Sequence, residues 1–280
     1  MKNGDPATSP HEVSIETARS IIMKNLFFLL FFSCTIAFTP AQAQKTYQDG
    51  EWLKFRIHYG IFNASFATLE VHDTQLNGTA HYHVKGEGKS TGLLHAFFKV
   101  NDVYESYIDK KTGLPSKFIR DINEGGYTKD KVIYFDQPQR RAKVEDRKHG
   151  KEEAFDIQPN VQDMISVFYH VRDQIDQKLK KEGDEMVVNM FFDETNYKFK
   201  TVFLGEKTIR TKFGKIKTLK LRPYVQSGRV FKEQESLTVY VSADKNKVPV
   251  QIKAKLSVGS LKADLYEYKN LKYPFEIIVD

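Results

Sequence analysis

The stretch from Leu237 to Leu265, LTVYVSADKNKVPVQIKAKLSVGSLKADL, decides the fold. Leu237, Val239, Val241 and Ala243 alternate with polar or amphipathic partners. After a turn rich in Asp and Lys, Val250, Ile252, Ala254, Leu256 and Val258 alternate with Gln251, Lys253, Lys255 and Ser257, and past Gly259-Ser260 the alternation resumes with Leu261, Ala263 and Leu265. A period of two sends successive side chains to opposite faces, so each run predicts a strand with one dry and one wet side. Turns this short between such runs predict an antiparallel meander.

Outward from this stretch the same period recurs. Leu53, Phe55, Ile57 and Tyr59 form one run, Ala67, Leu69 and Val71 a second, and Ala80, Tyr82 and Val84 a third. Further strands are predicted near 102–108, 116–123, 130–136, 185–193, 197–204 and 216–222, making eleven or twelve in all. The expected fold is mainly β, a large curved antiparallel sheet or half-open β-barrel with one or two short helices packed on it. The segments YIDKKTGLPSKF at 107–118 and VSADKNKVPVQI at 241–252 both set Asp, Lys and Pro between two strands. A duplicated hairpin and convergent turn chemistry account for that match equally well.

One segment breaks the period. Val161, Met164, Ile165, Phe168, Val171 and Ile175 fall at three- and four-residue steps, with Pro159 and the capping candidate Asn160 ahead of them and Asp163 at the third position. The spacing predicts an amphipathic helix lying on the sheet, with Phe168→Ala costing about 3–5 kcal/mol as a core truncation. A second apolar cluster, Leu93, Leu94, Ala96, Phe97 and Phe98, follows a glycine-rich stretch and is too short for a core helix of its own.

The N-terminal region reads as an export signal. NLFFLLFFSCTIAF at 25–38 is an apolar run of 14 residues behind Lys24, followed by Pro40 and the small-residue box Ala41-Gln42-Ala43. It falls short of the roughly 20 residues of a membrane-spanning helix and predicts cleavage after Ala43. Met23 opens the segment, so 1–22 read as an over-called start, 23–43 as signal peptide and 44–280 as one β-rich domain. The competing lipoprotein reading places Cys34 at the acceptor position with Ser33 before it. Against it stand Phe31 and Phe32 and an apolar run that continues past the cysteine. Periplasmic or secreted localisation is expected under the first reading.

Composition removes several classes. The 280 residues carry 43 Lys and Arg against 36 Asp and Glu, a net charge of +7 that is too diffuse for a nucleic-acid binder. A single Cys rules out a disulfide framework and any thiolate metal cluster. KGEGKSTG at 85–92 has His83 where a phosphate-binding loop needs its first glycine. His81 and His83 are two apart on a strand, with His58 and His72 on polar faces of neighbouring strands. No dense ligand spacing joins them, so no metal and no cofactor are expected. There is no G-x-S-x-G elbow, Ser166 has no evident His and Asp partners, and Glu152 and Glu153 read as members of a charged loop.

DGEWLKFRIHYGIFNASFATLEV at 49–71, DMISVFYHVR at 163–172, KTIRTKFGKIKTLKLRPYV at 207–225 and the 237–265 stretch together resemble the bacterial domain of unknown function 3108 family. The resemblance spans almost all of 45–270 and implies exported envelope proteins of β-rich fold. It brings no assigned activity and no site residues. The Asp-x-x-x-Leu/Val-Pro turn also resembles that of periplasmic lipoprotein carriers of the Lol type, a likeness at the level of fold.

The function expected from these observations is non-catalytic. A hydrophobic cavity formed by Leu93, Leu94, Phe97, Phe98, Met164 and Phe168 would hold a lipid or other apolar envelope component. The alternative is a structural or assembly scaffold whose Lys- and Tyr-rich strands contact an envelope protein partner or an anionic surface. An uncharacterised hydrolase is third. A core packed solid by these side chains would favour the scaffold, whereas a cavity above about 300 Å³ would favour the ligand.

Overall fold

The computed structural model describes residues 45–60, 62–91, 99–224, 235–256 and 259–279. Its strands are β1 (Trp52–Tyr59), β2 (Phe62–Leu76), β3 (Thr79–Ser90), β4 (Asn101–Asp109), β5 (Pro115–Glu124), β6 (Tyr127–Asp136), β7 (Arg141–Asp146), β8 (Lys151–Asp156), β9 (Glu185–Phe192), β10 (Thr195–Thr211), β11 (Gly214–Pro223), β12 (Leu237–Ser242), β13 (Pro249–Lys255) and β14 (Ser260–Lys269). Helix α1 spans Ser166–Lys178. All fourteen strands join one antiparallel sheet in the order β8 to β1, then β14 to β9. Neighbours are therefore sequential partners everywhere except at mid-sheet, where β1 lies against β14 with Trp52 opposite Lys269.

Twelve of these strands lie where the alternation places them, and β7 and β8 were not anticipated. β7 offers only Ala142 and Val144 to the core. β8 is an edge strand exposed along most of its length, so Glu152 and Glu153 belong to a strand and not to a charged loop. Charge along an edge discourages a further strand from pairing there.

The two outer strands β8 and β9 do not pair with each other. The connection after β8 occupies the seam between them. Asn196 Nδ2 donates to Asp156 O at 2.7 Å, Asn189 Nδ2 to Pro159 O at 2.8 Å, and Phe191 N to Gln162 O at 3.0 Å. Val161 and Gln162 thus run beside β9, and the helix begins later than its apolar period suggests.

Asn160 does not cap that helix, since its φ of 53° turns the chain the other way. Asp163 does. Its Oδ1 accepts from Ile165 N at 2.8 Å and Ser166 N at 2.7 Å, while Ser166 Oγ accepts from Asp163 N at 2.8 Å. Two otherwise orphaned helix donors and one amide ahead of them are satisfied by this reciprocal pair. Gly86 in β3 lets the lead-in to the helix settle on the sheet, because a Cβ there would stand 3.2 Å from Leu69 Cδ2 and 3.5 Å from Ile165 Cδ1.

The helix is tied down by buried charge. Arg172, almost wholly buried, donates from Nη1 to Glu51 Oε1 at 2.6 Å and from Nη2 to Glu51 Oε2 at 3.0 Å and Asn246 O at 2.9 Å. Asp173 accepts from Thr46 N at 2.8 Å and Lys45 Nζ at 2.9 Å. One turn of helix thereby grips the segment before β1 and the β12–β13 turn at once.

The two Asp-Lys-Pro hairpins share a frame, an Asp carboxylate that accepts from a turn amide and a proline past a register shift, but differ in turn length. Asp109 Oδ1 accepts from Thr112 N at 2.6 Å and Asp244 Oδ1 from Asn246 N at 2.9 Å. Pro115 stands opposite Ile108 and Pro249 opposite Val241, each just past a register shift. The sequence match corresponds to similar turn chemistry in two hairpins of different length.

Candidate functional site: a cavity between helix and sheet

The inner face of a fourteen-stranded sheet is wider than a single helix can cover. On the side of β2 to β8, Tyr47, Tyr169, Ile165 and Phe191 pack with inward residues such as Val84, Phe118, Ile133 and Val144 into a filled core. On the other side Val167, Val171 and Ile175 of α1 meet Met190, Phe203, Leu219 and Leu221. Beyond that contact the inner positions of β10, β12 and β13 lack a cover. Tyr197, Phe199, Val239 and Ile252 remain only half-buried and, with α1, enclose a cavity of about 730 Å³. That volume lies within the roughly 300–1,000 Å³ of small-molecule sites.

The cavity is lined chiefly by aliphatic and aromatic side chains, with few polar groups. Arg172 reaches its wall, but the guanidinium is taken up by Glu51 and Asn246 O. Burial, reinforced by Asp193, pushes the Tyr197 phenol up to about 12, so it stays neutral at physiological pH. Asp193, in the β9–β10 turn, stands at one end of the cavity. Such a surface suits an apolar body, with Thr201 and Arg172 as buried polar members of its wall and Asp193 as an exposed one.

Of the residues expected to form a hydrophobic site, Met164 and Phe168 line this cavity. Leu93, Leu94, Phe97 and Phe98 lie outside the described residues. Phe168 is half-buried, with its ring 5.1 Å from that of Tyr169, so it is a wall residue and not the core plug expected from periodicity. The strand residues of the lining were not singled out as a site. Their alternation marks an inward face but not whether anything covers it.

The polar candidates are each engaged separately. His81 is buried, and its ring nitrogens lie 2.8 Å from Thr79 O and 2.8 Å from Ser116 Oγ. His81 is itself only 2% exposed, whereas Ser116 is part-buried. His83 Nε2 contacts Glu105 at 2.7 Å, His72 pairs with Glu70, and His58 with Asp264. Ser166 is committed to Asp163. Among the described residues no group of three or more His, Cys, Asp or Glu is placed to hold a metal ion, and no helix is long and apolar enough to cross a membrane.

Residues 54–266 match the family described as Protein of unknown function (DUF3108). Among solved structures, a beta-barrel-like protein of domain of unknown function DUF1849 from Brucella abortus aligns with a TM-score of 0.53 at 6% identity, over 80% of this chain and 99% of that one. At such identity the likeness is one of fold. A candidate exported protein with a YmcC-like fold from Bacteroides fragilis aligns at 8% identity over 80% and 97% of the two chains, with a TM-score of 0.32. A candidate lipoprotein from Parabacteroides distasonis does so at 13% identity over 80% and 98%, with the same TM-score. No curated protein matches the sequence.

Proposed function

We propose, from the premise that this chain belongs to the DUF3108 family of proteins of unknown function, that it is an exported envelope protein that binds a lipid or similar apolar molecule without transforming it. The observation that carries the reading is the cavity of about 730 Å³ left where α1 ends its cover of β10–β13. Export rests on the Lys24, apolar-run and Ala41-Gln42-Ala43 sequence. Burying a single chain there removes apolar surface from water at about 25 cal/mol per Å²; Ser166 is held by Asp163, and Glu152 and Glu153 lie along an exposed edge strand.

Titration of the mature protein with a fluorescent fatty acid is expected to saturate at one site, and native mass spectrometry of protein taken from its own envelope should show a bound mass. Val239→Trp, which fills the cavity, is expected to abolish the saturable signal while the melting temperature holds or rises. Phe168→Ala should weaken binding and cost about 2 kcal/mol in stability, less than a fully buried phenylalanine, since its ring is only part-buried. An unliganded parent that shows no saturable binding of any apolar probe would defeat the reading.

The scaffold alternative has its own observation. Across β3 to β7 the outer face carries His83, Tyr107, Lys117, Tyr134 and Lys143 directly opposite one another. His83 stacks on Tyr107 at 4.5 Å, and the lysines lie 5.2 to 5.6 Å from the neighbouring tyrosine rings. A pull-down that this row controls, from protein lacking any ligand, would favour a scaffold.

A further inference from the structure

At one end of the cavity lies a charge cluster that apolar binding leaves unused. β5 and β6 turn Arg120, Lys129 and Lys131 to the inner face, in line with the buried Phe118, Ile122 and Ile133. Arg120 stands directly opposite Lys131, and like charges in that position repel. The three side chains are only 15%, 19% and 16% exposed, so their hydration is largely lost. The polar group that offsets this comes from the β9–β10 turn. Asp193 Oδ1 accepts from Arg120 Nη1 at 2.6 Å and Lys129 Nζ at 2.5 Å, and Glu194 pairs with Lys131, which also lies 3.6 Å from Asp146.

The turn itself is an uncommon choice. Both of its residues have positive φ, 46° and 64°, a conformation for which Asn-Gly is the favoured pair. Asp-Glu accepts backbone strain there and places two carboxylates on three cations. Those carboxylates are 46% and 37% exposed, so release returns them to water easily, whereas the cations need an anion in any state. Arg120 Nε is buried with no hydrogen-bond partner among the described residues, leaving donor capacity in the guanidinium. Phe192 and Asp193 line both the cavity and the crevice holding Arg120 and Lys131, and Phe192 sits 4.7 Å beneath the Arg120 guanidinium. The cluster is therefore the polar end of the apolar site.

We infer that Asp193 and Glu194 hold the place of a ligand's head group, and that the ligand is an anionic single-chain amphiphile, a carboxylate or phosphate monoester on an alkyl tail. Its head takes over the contacts of Arg120, Lys129 and Lys131 as the turn lets go, and its tail runs between α1 and β10–β12. The inference rests on the proposed apolar binding and names the chemistry that binding selects.

The test compares hexadecanoate, hexadecyl phosphate and hexadecanol as competitors of a fluorescent probe, at low and high salt. Both anions are expected to bind about tenfold more tightly than the alcohol, with the advantage shrinking in salt. The ratio between the two anions tells a carboxylate ligand from a phosphate one. Arg120→Gln with Lys131→Gln should erase the anions' advantage over hexadecanol. Because that pair of changes touches packed side chains, a second variant is decisive: Asp193→Asn with Glu194→Gly gives the turn its favoured residues and frees the cations. It should widen the anions' advantage over the alcohol about tenfold. Equal affinity of acid and alcohol, unmoved by the turn variant, overturns this inference and leaves the cavity reading standing. Failure of all three to bind overturns both.

Discussion

Asp163 shows what a single buried group can do in a protein of this kind. Burial pushes its carboxyl up to about 6 from an ordinary 3.8, against the hydrogen bonds from Ser106 and from the amides of Ile165 and Ser166 that pull it down. The folded protein consequently holds this proton more tightly than the unfolded chain. The group's contribution to stability is present below about pH 4, falls as the pH rises to about 6, and is gone beyond it. Asp163→Asn keeps an acceptor for both amides and can donate to Ser106 Oγ, but it does not titrate. The stability of the variant relative to the parent should therefore rise across that window by about 3 kcal/mol, read from urea unfolding at a series of pH values. A relative stability that stays level would mean that the carboxylate is solvated. Sequence alone showed Asp163 near a helix start, but it could not show Ser106, which stands on another strand.

At the scale of elements, α1 is fastened chiefly by the Arg172–Glu51 pair. Removing one member strands the other in a dry interior, so Arg172→Ala is expected to cost about 3–5 kcal/mol, and Arg172→Met with Glu51→Leu markedly less than the two single changes summed. A double variant as unstable as that sum would show that the pair's role is carried by Asn246 O and not by the opposing charge. The existence of the helix and of twelve strands was legible because their inward residues keep period. β7 and β8 were not, since a strand at an edge gives few side chains to the core and reads as a polar loop. The helix start was misplaced for a related reason: Val161 is buried in the seam beside β9, and burial there imitates one more helical step. The cavity was legible only in part. Met164 and Phe168 belong to a visible periodic face, whereas the half-covered Val239 and Ile252 depend on how far one helix reaches across a sheet, which no local pattern records.

For the molecule as a whole, the order of strands sets how the chain finds its structure. Every strand pair joins sequence neighbours except β1 with β14, whose partners Trp52 and Lys269 stand at opposite ends of the described chain. The two arms, β1–β8 and β9–β14, can form by local hairpin closure in any order, but joining them closes a loop of more than two hundred residues at an entropic cost on the order of 5 kcal/mol. Mid-sheet zipping is then the slow step, and rearranging the chain should remove it. A circular permutant opened in the exposed turn at Glu182, with a glycine–serine linker from the present end to Lys45, turns β14–β1 into one more hairpin and leaves an uninterrupted meander. Lower contact order predicts that it refolds faster than the parent in stopped-flow experiments at matched stability. Equal rates would place the barrier in docking α1. Among sheets of this architecture, then, the strand order is itself a kinetic variable, and an order that splits the central pair is the one that makes the whole sheet wait for its two arms to meet.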